Sequence, residues 1–427
     1  MLQVSHTRFG KGGIFSARVH PRIKQILRGV KQEAQLRREG ITRFNKRWRP
    51  WAIRMVRKHN LARQVVLTAD PDLMDAEYLA TCMQKAASGN VKDMDLWRGY
   101  IGRLEELVEE IPPQYFGYIV WSIGRVQVPH KQSSKLYFGL MERAEQLVSE
   151  LTSSGLMAVL WTFRRALIKP SDSLLRSIAN RVVQEPQSIR PSDFMKICNS
   201  LGFFGFGKLD KTFRDRISRV AINKFESDTF AQDFRSAIDP LAIANVYNDE
   251  ARAYILDRFR KIFITARPNH LLHAYHSSVV MRVLAPDAWF NLLSDKTRGF
   301  YTSLAQRHIA TRSRGMCKLH RQVSDELAGP AFKLAHRNMF RWGPFWIDIG
   351  IEESEDLDSH ELTDDEKTCI VLDKPSSFYA NDKRRLTEKA QLEHVLLSSV
   401  GWKVKHVNHY EWSKAQDKAA YLRSVLA

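Results

Sequence analysis

The sequence predicts a mostly α-helical protein: an α-solenoid of degenerate helix pairs, followed by a small C-terminal α/β domain. From about residue 70 to residue 280, apolar side chains recur at the spacing of one helix face, in segments that follow one another in pairs. Trp121, Trp161 and Asn199 occupy equivalent positions about 40 residues apart, a period typical of two-helix repeats. Two strand-like apolar runs follow residue 344.

Three helix pairs can be placed from their apolar positions. These positions are Tyr115, Ile119, Val120 and Ile123 with Leu136, Leu140 and Leu147; Leu156, Val159, Leu160 and Phe163 with Leu174, Leu175, Ile178 and Val182; and Phe194, Ile197, Cys198 and Leu201 with Phe213, Ile217 and Val220. Pro113, Pro170, Pro186 and Pro191 fall between the predicted helices, as proline should. The pattern fades after Pro240, so no later repeat is placed.

Residues 202–208 match the phosphate-loop pattern GxxxxGK, but their context does not suit a nucleotide site. No Ser or Thr follows Lys208 to hold magnesium, phenylalanines fill the loop, and a helix rather than a strand precedes it. We therefore interpret the segment as an aromatic-packed turn between two helices.

The composition points to a polyanionic partner. The 427 residues include 66 Lys and Arg against 47 Asp and Glu, a net charge of +19, and nucleic acid is the commonest partner of so basic a protein. The four cysteines form no CxxC pair, which argues against a zinc ribbon or a disulfide framework. No apolar run approaches the roughly 18–20 residues of a membrane span, so we expect a soluble protein without a membrane partner.

Residues 1–68 form a basic N-terminal arm or targeting segment. No acidic residue precedes Glu33, and an amphipathic, Arg-rich, acid-free start resembles a mitochondrial presequence. Two interpretations stay open, namely an uncleaved signal and a basic tail that RNA orders.

A basic and aromatic stretch within this arm is predicted to bind RNA. Its members are Arg43, Lys46, Arg47, Trp48, Arg49, Trp51, Arg54, Arg57 and Lys58. The cations would neutralise phosphates, and the two tryptophans would stack on bases or, alternatively, dock the arm on the protein's own core. A second basic belt lies in the predicted linker, residues 311–344, and we expect Arg312, Arg314, Lys318 and Arg321 to contact nucleic acid there.

The last segment combines a helix, a strand and a closing helix. Leu392, Val395 and Leu396 recur at helical spacing before Gly401, which suits the left-handed turn that ends a helix. The run 402–407 then alternates apolar residues with Lys403, Lys405 and His406, which predicts a strand with one buried face and one basic face.

This order of residues resembles the RAP domain, an RNA-binding domain named for its abundance in apicomplexan parasites. The shared anchors are the helix, Gly401-Trp402, the strand, Glu411-Trp412 and Lys418-Ala-Ala-Tyr421-Leu422, within residues 345–427. Helical repeats joined to such a domain are similar to octotricopeptide-type and heptatricopeptide-type organellar proteins and to the Fas-activated serine/threonine kinase family. The resemblance implies RNA binding in an organelle, and some family members are mitoribosome subunits.

The resemblance also implies a fold similar to restriction-type and very-short-patch repair endonucleases. Such nucleases hold a divalent metal with an Asp on one strand and an acid-x-Lys motif on the next. Here Asp348 fills the first position, but Val371 replaces the acid and Asp373 replaces the lysine, and Lys374 replaces the family's usual Gly. We therefore expect a binding domain with no catalytic residue, no metal and no cofactor.

The prediction as a whole is a mitochondrial matrix protein that binds RNA. Its parts are the arm (1–68), the helical-repeat domain (69–310), the basic linker (311–344) and a RAP-like domain (345–427) with an acidic insertion at 352–366. In the RAP-like domain we expect Lys383, Arg384, Arg385, Lys403, Lys405 and His406 to contact phosphates. The favoured role is a structural constituent of the mitochondrial ribosome that contacts rRNA and other ribosomal or ribonucleoprotein subunits. The alternatives are a free-standing organellar RNA stability or processing factor and a metal-dependent RNA endonuclease.

Overall fold

The computed structural model describes residues 70–91, 93–128, 134–206, 211–226, 237–262, 268–306, 315–351 and 367–427. The predicted arm and the acidic insertion lie outside these ranges. The chain divides into two compact units, which meet in sequence at residues 143 and 144. Within the described ranges, every helix is too short or too polar to cross a bilayer.

Helices make up most of the described chain, which confirms the predicted fold class. In order they are α1 (Ala76–Ser88), α2 (Met94–Leu107), α3 (Pro113–Val126), α4 (Ser134–Leu147), α5 (Ser153–Ala166), α6 (Asp172–Gln184), α7 (Pro191–Phe203), α8 (Lys211–Glu226), α9 (Pro240–Asn245), α10 (Asp249–Ile262), α11 (Pro268–Leu284), α12 (Pro286–Leu292), α13 (Asp295–Gln306), α14 (Lys318–Ala328), α15 (Glu388–Ser399), α16 (His409–Lys414) and α17 (Lys418–Leu426). The six helices predicted from apolar periodicity correspond to α3 through α8.

In the first unit, α1 packs against both α2 and α3. Asp93 caps α2 by accepting hydrogen bonds from the N–H groups of Asp95 and Leu96, which would otherwise be unsatisfied at the helix start. The indole of Trp97 is fully buried, and its Nε1 donates to the Val91 carbonyl over 2.9 Å. This bond ties the loop before α2 to the core.

In the second unit, the helices form two rows, as expected of stacked helix pairs. One row runs α5, α7, α9 and α11, and we call it the inner row; the other runs α6, α8 and α10, and we call it the outer row. Each helix contacts the next member of its own row, so the buried face is continuous along the stack. The prolines that begin α7, α9 and α11 restart helices after loops, where a missing N–H costs nothing.

Two glycines of the 202–208 segment, Gly202 and Gly205, serve packing and turn formation in this structure. A Cβ on Gly202 would lie 2.6 Å from the Leu241 carbonyl oxygen, so only glycine lets α7 and α9 approach this closely. Gly205 adopts a φ of +71° in the turn that follows α7. The phenylalanines at 203, 204 and 206 are buried, as the interpretation of an aromatic-packed turn requires.

The C-terminal region contains a four-stranded mixed sheet and a separate hairpin. Its strands are β1 (His336–Trp342), β2 (Phe345–Ile351), β3 (Lys367–Asp373), β4 (Phe378–Tyr379), β5 (Asp382–Leu386) and β6 (Trp402–Asn408). The sheet order is β1-β2-β3-β6, in which β1, β2 and β3 are antiparallel neighbours and β6 runs parallel to β3. The strands β4 and β5 pair only with each other, and α15 forms the crossover to β6.

Residues on both faces of the sheet are buried, which corrects the expectation that β6 has one buried and one basic face. Val407 belongs to a core with Ile370 and Leu372 of β3 and with residues of α14, α16 and α17. Trp402 is also buried, and its ring contacts those of Phe340 and Trp342. Since residues 402 and 407 differ by an odd number of positions, they lie on opposite faces of the strand.

The segment predicted as a linker contributes to this region. Helix α14 packs on β1, and β1 pairs with β2 along its length from His336 to Trp342. Ordered α/β structure therefore begins before residue 345.

Candidate nucleic-acid interface

The most exposed basic cluster of the described chain is on β5, and we call Lys383, Arg384 and Arg385 the β5 cluster. All three side chains are exposed, and within the described ranges β5 pairs with β4 alone. The ammonium group of Lys383 lies 5.8 Å from the ring centroid of Tyr410. No acidic side chain in the described ranges pairs with any of the three, so their charges remain available to a polyanion.

Of the three basic residues predicted on β6, His406 is held by side-chain hydrogen bonds within the described part of the protein, unlike Lys403 and Lys405. Lys403 is exposed and Lys405 is half-buried. His406 uses both ring nitrogens within the protein: Nδ1 bonds Asp373 Oδ2 at 2.9 Å, and Nε2 bonds Nδ1 of His394. His406 is thus held in a chain of three side chains and is less available to a phosphate than the β5 cluster.

The chain Asp373–His406–His394 ties α15 to the sheet. The two imidazole rings stack with centroids 4.6 Å apart, and Asp373 is buried beneath them. Burial, followed by the neighbouring His406, lowers the pKa of His394 despite the opposing effect of Asp373. The second carboxylate oxygen of Asp373 is shielded from solvent and has no hydrogen-bond partner among the described residues.

Of the RNA-binding residues predicted in the linker and the arm, two are exposed in the structure and the others lie outside the described residues. Lys318 and Arg321 are exposed in the first turn of α14. Arg312 and Arg314 lie outside the described residues, and so do all nine predicted residues of the arm: Arg43, Lys46, Arg47, Trp48, Arg49, Trp51, Arg54, Arg57 and Lys58. The contacts predicted for these residues remain predictions.

At the position that corresponds to a nuclease metal site, the carboxylate of Asp348 is fully engaged. Oδ1 accepts from Lys374 Nζ at 2.9 Å, and Oδ2 accepts from the Leu372 N–H at 3.1 Å. A divalent cation bound by Asp348 would be repelled by the Lys374 ammonium, since the two positive charges would compete for the same carboxylate. The neighbouring Val371 supplies no oxygen ligand, and no group of three or more His, Cys, Asp or Glu side chains within the described ranges could hold a metal.

The sequence indicated which residue types would form the site, but it did not indicate which residues would pair with one another. Nothing local indicates that Lys374 pairs with Asp348 or that His394 bonds His406, because each pair joins two different elements. A usable signal did exist for Trp161 and Arg165, whose spacing of four residues on a predicted helix places them side by side. In the structure the Arg165 guanidinium lies 5.1 Å from the Trp161 ring centroid.

Chemically, these residues suit contact with a phosphate backbone. Exposed lysines and arginines neutralise phosphates, and aromatic rings and guanidinium planes stack on bases. Two comparisons with known proteins differ in outcome: no curated protein matches the chain, whereas one family model does. A family model described as RAP domain matches residues 370–425, which include the β5 cluster, β6 and α15, and such a domain suggests RNA binding. The chain therefore carries a RAP domain at residues 370–425, after a series of helical repeats.

Proposed function

We propose that the protein is an RNA-binding constituent of the mitochondrial ribosome. In this proposal it lies in the mitochondrial matrix and contacts rRNA. The RAP domain at residues 370–425 is the observation that carries the RNA-binding part, because its most exposed strand presents three cations without an acidic partner among the described residues. The net charge of +19 supports the same conclusion, since so many like charges repel one another without a polyanion.

The ribosomal part of the proposal is supported by the distribution of charge. Residues 1–68 hold 17 Lys and Arg against 2 Asp and Glu, and the β5 cluster adds exposed cations after the helical scaffold in the sequence. A scaffold with basic extensions is suited to holding a folded RNA through its backbone. The arm's similarity to a presequence supports mitochondrial import.

The geometry favours binding over cleavage. Metal-dependent phosphodiester hydrolysis requires a cation held by oxygen ligands together with an activated water. Asp348 is occupied by Lys374, and Val371 offers no carboxylate, so the two strands lack a free acidic pair. We therefore propose that the domain binds RNA without cutting it.

Sedimentation of the native protein tests the ribosomal role. Lysates of mitochondria that contain the tagged full-length chain are separated on a density gradient, with and without RNase, beside a tagged matrix protein that has no RNA affinity. We expect the chain to migrate with one ribosomal subunit and to move to the light fractions after RNase. Migration in the light fractions under both conditions would contradict the ribosomal role. Migration in an RNase-sensitive particle without ribosomal subunits would indicate a free-standing RNA stability or processing factor.

A further inference from the structure

The hairpin of β4 and β5 is fastened to the helical repeats by backbone hydrogen bonds at its tip. The Ala380 N–H donates to the Leu167 carbonyl over 2.6 Å. Asn381 bonds the backbone of Lys169 twice, because Oδ1 accepts from its N–H and Nδ2 donates to its carbonyl, both at 2.9 Å. The hairpin tip thus binds the loop between α5 and α6, and these hydrogen bonds satisfy backbone polar groups of both segments.

The last residue of β4, directly beside the tip, is held by aromatic packing. Tyr379 is buried, and its hydroxyl donates to the Phe203 carbonyl over 3.1 Å. Its ring meets Phe203 edge-on and stacks on Phe204. A Cβ on Gly205 would lie 2.5 Å from the Glu388 side chain, so the start of α15 is also held against this turn. The hairpin is therefore held against the helical repeats at its tip, and the helix that follows it is held against the turn after α7.

This docking brings the hairpin that carries the β5 cluster to the loop directly after α5, a helix whose last turn has cations of its own. Two cations near that end are already occupied: Arg164 pairs with Asp239, and Lys169 pairs with Asp172. Arg165 has no acidic partner among the described residues and is exposed. Arg165 lies two residues before Leu167, whose carbonyl accepts the hydrogen bond from the hairpin.

Arg165 contacts a neighbour on the same helix. Its guanidinium group lies over the indole of Trp161, a cation–π contact that favours this placement of the long side chain. The outer surface of a guanidinium plane stacks on a nucleic-acid base, and its N–H groups bind phosphate oxygens. The stack is therefore suited to a single-stranded nucleotide, whereas Lys383, Arg384 and Arg385 suit the adjacent backbone.

We propose that a single RNA strand crosses the junction between the repeats and the RAP domain, with its phosphates on the β5 cluster and one base stacked on Arg165. This inference rests on the proposed RNA binding and adds the repeat helix α5 to the interface. The helix α15 packs on α7, α9 and α11 of the inner row, whereas the hairpin tip binds the loop that follows α5. Single-stranded RNA is the class that fits, because stacking on the guanidinium requires a base outside a duplex.

The test measures RNA affinity of the full-length chain by fluorescence anisotropy, with a labelled oligouridylate of about 20 nucleotides as the probe. The variants are Arg165→Ala, Arg165→Lys and the triple variant Lys383→Ala, Arg384→Ala and Arg385→Ala. Arg219→Ala is the matched control, because it removes one exposed helical arginine from the outer row. Circular dichroism melting confirms that each variant is folded.

We expect Arg165→Ala to weaken binding about fivefold or more, and the triple variant to weaken it further while flattening the salt dependence by about 0.7 per lost contact. Arg165→Lys should restore the salt slope but only part of the affinity, because it keeps the charge and loses the stacking plane. Arg219→Ala should bind as the wild type does. If Arg165→Ala equals Arg219→Ala while the triple variant is impaired, the shared path is wrong and RNA binding by the RAP domain stands. If the wild-type chain binds no RNA, the proposed function fails first.

Discussion

At the scale of single residues, His276 of α11 is the group with the clearest energetic consequence. Phe345 of β2 meets its ring edge-on, with 5.2 Å between the ring centroids. Its Nε2 is shielded from solvent and lacks a hydrogen-bond partner among the described residues, although part of the ring is exposed. Burial lowers the pKa of His276 to about 4; His273 and Lys389 also lower it, and Asp239 opposes them. The folded state therefore holds this imidazole neutral.

The pH dependence of stability follows from that pKa. Above pH 6.5 the imidazole is neutral in both states, whereas between pH 6.5 and about 4 the unfolded chain binds a proton that the folded chain does not. Stability is thus lost as the pH falls through this window, by about 3 kcal/mol from His276 alone. Urea unfolding followed by tryptophan fluorescence should show that His276→Gln flattens the decline in unfolding free energy between these pH values. His273→Gln, which removes an exposed imidazole from the same helix, should keep most of the decline. An equally steep decline in His276→Gln and wild type would contradict this account.

At the scale of elements, the close approach of α7 and α9 determines how the inner row stacks. The obstacle to any side chain at Gly202 is backbone, namely the Leu241 carbonyl and the Ala242 nitrogen, which cannot turn away as a flexible side chain would. The Gly202 carbonyl also accepts a hydrogen bond from Asn245 Nδ2 at 2.9 Å. The contact of Gly202 with the α9 backbone therefore leaves no room for a methyl group. The hydrogen bond from Asn245 forms only at the present distance between the two helices.

Gly202→Ala should lower the free energy of unfolding by about 1–3 kcal/mol, because the added methyl group forces the two helices apart. Gly299→Ala is the matched control within the same unit, since a Cβ there meets no atom within 4 Å. The control should leave stability unchanged or raise it by about 0.5–1 kcal/mol, as removing a helical glycine does. Thermal melting of both variants beside the wild type measures the difference. A Gly202→Ala variant as stable as the control would show that α7 and α9 are free to separate.

The helices α3 to α8 could be predicted from sequence because each depends on apolar spacing within a single segment. The two buried faces of β6 were also present in the pattern, since Trp402 and Val407 fall on opposite sides of any strand, but the interleaved lysines suggested a solvent-facing side. The ion pair of Lys374 with Asp348 and the contact of Asn381 with Lys169 could not be predicted. The latter joins residues 212 positions apart, and no local property of either segment specifies the other.

At the scale of the whole molecule, the second unit joins helical repeats and RAP domain into one compact body. The helix α15 packs on three members of the inner row, and the β4–β5 hairpin packs on a fourth. Part of the surface of α7, α9 and α11 is therefore taken up by contact with α15. The arrangement favours recognition of the RNA backbone, with the RAP domain and the end of α5 as the contact surface.

The central claim is that the basic surface formed by the RAP domain and the end of α5 binds an RNA backbone without cleaving it. Its most direct test is the affinity of the purified full-length chain for labelled single-stranded RNA, measured in magnesium-containing buffer from about 50 to about 300 mM salt. We predict a linear fall of log K with log salt, by about 0.7 for each phosphate contact, and RNA that is recovered intact. Absence of binding at low salt, or affinity that salt does not change, would contradict the claim. RNA that is shortened by the wild type but not by a folded Asp348→Ala variant would contradict its second half.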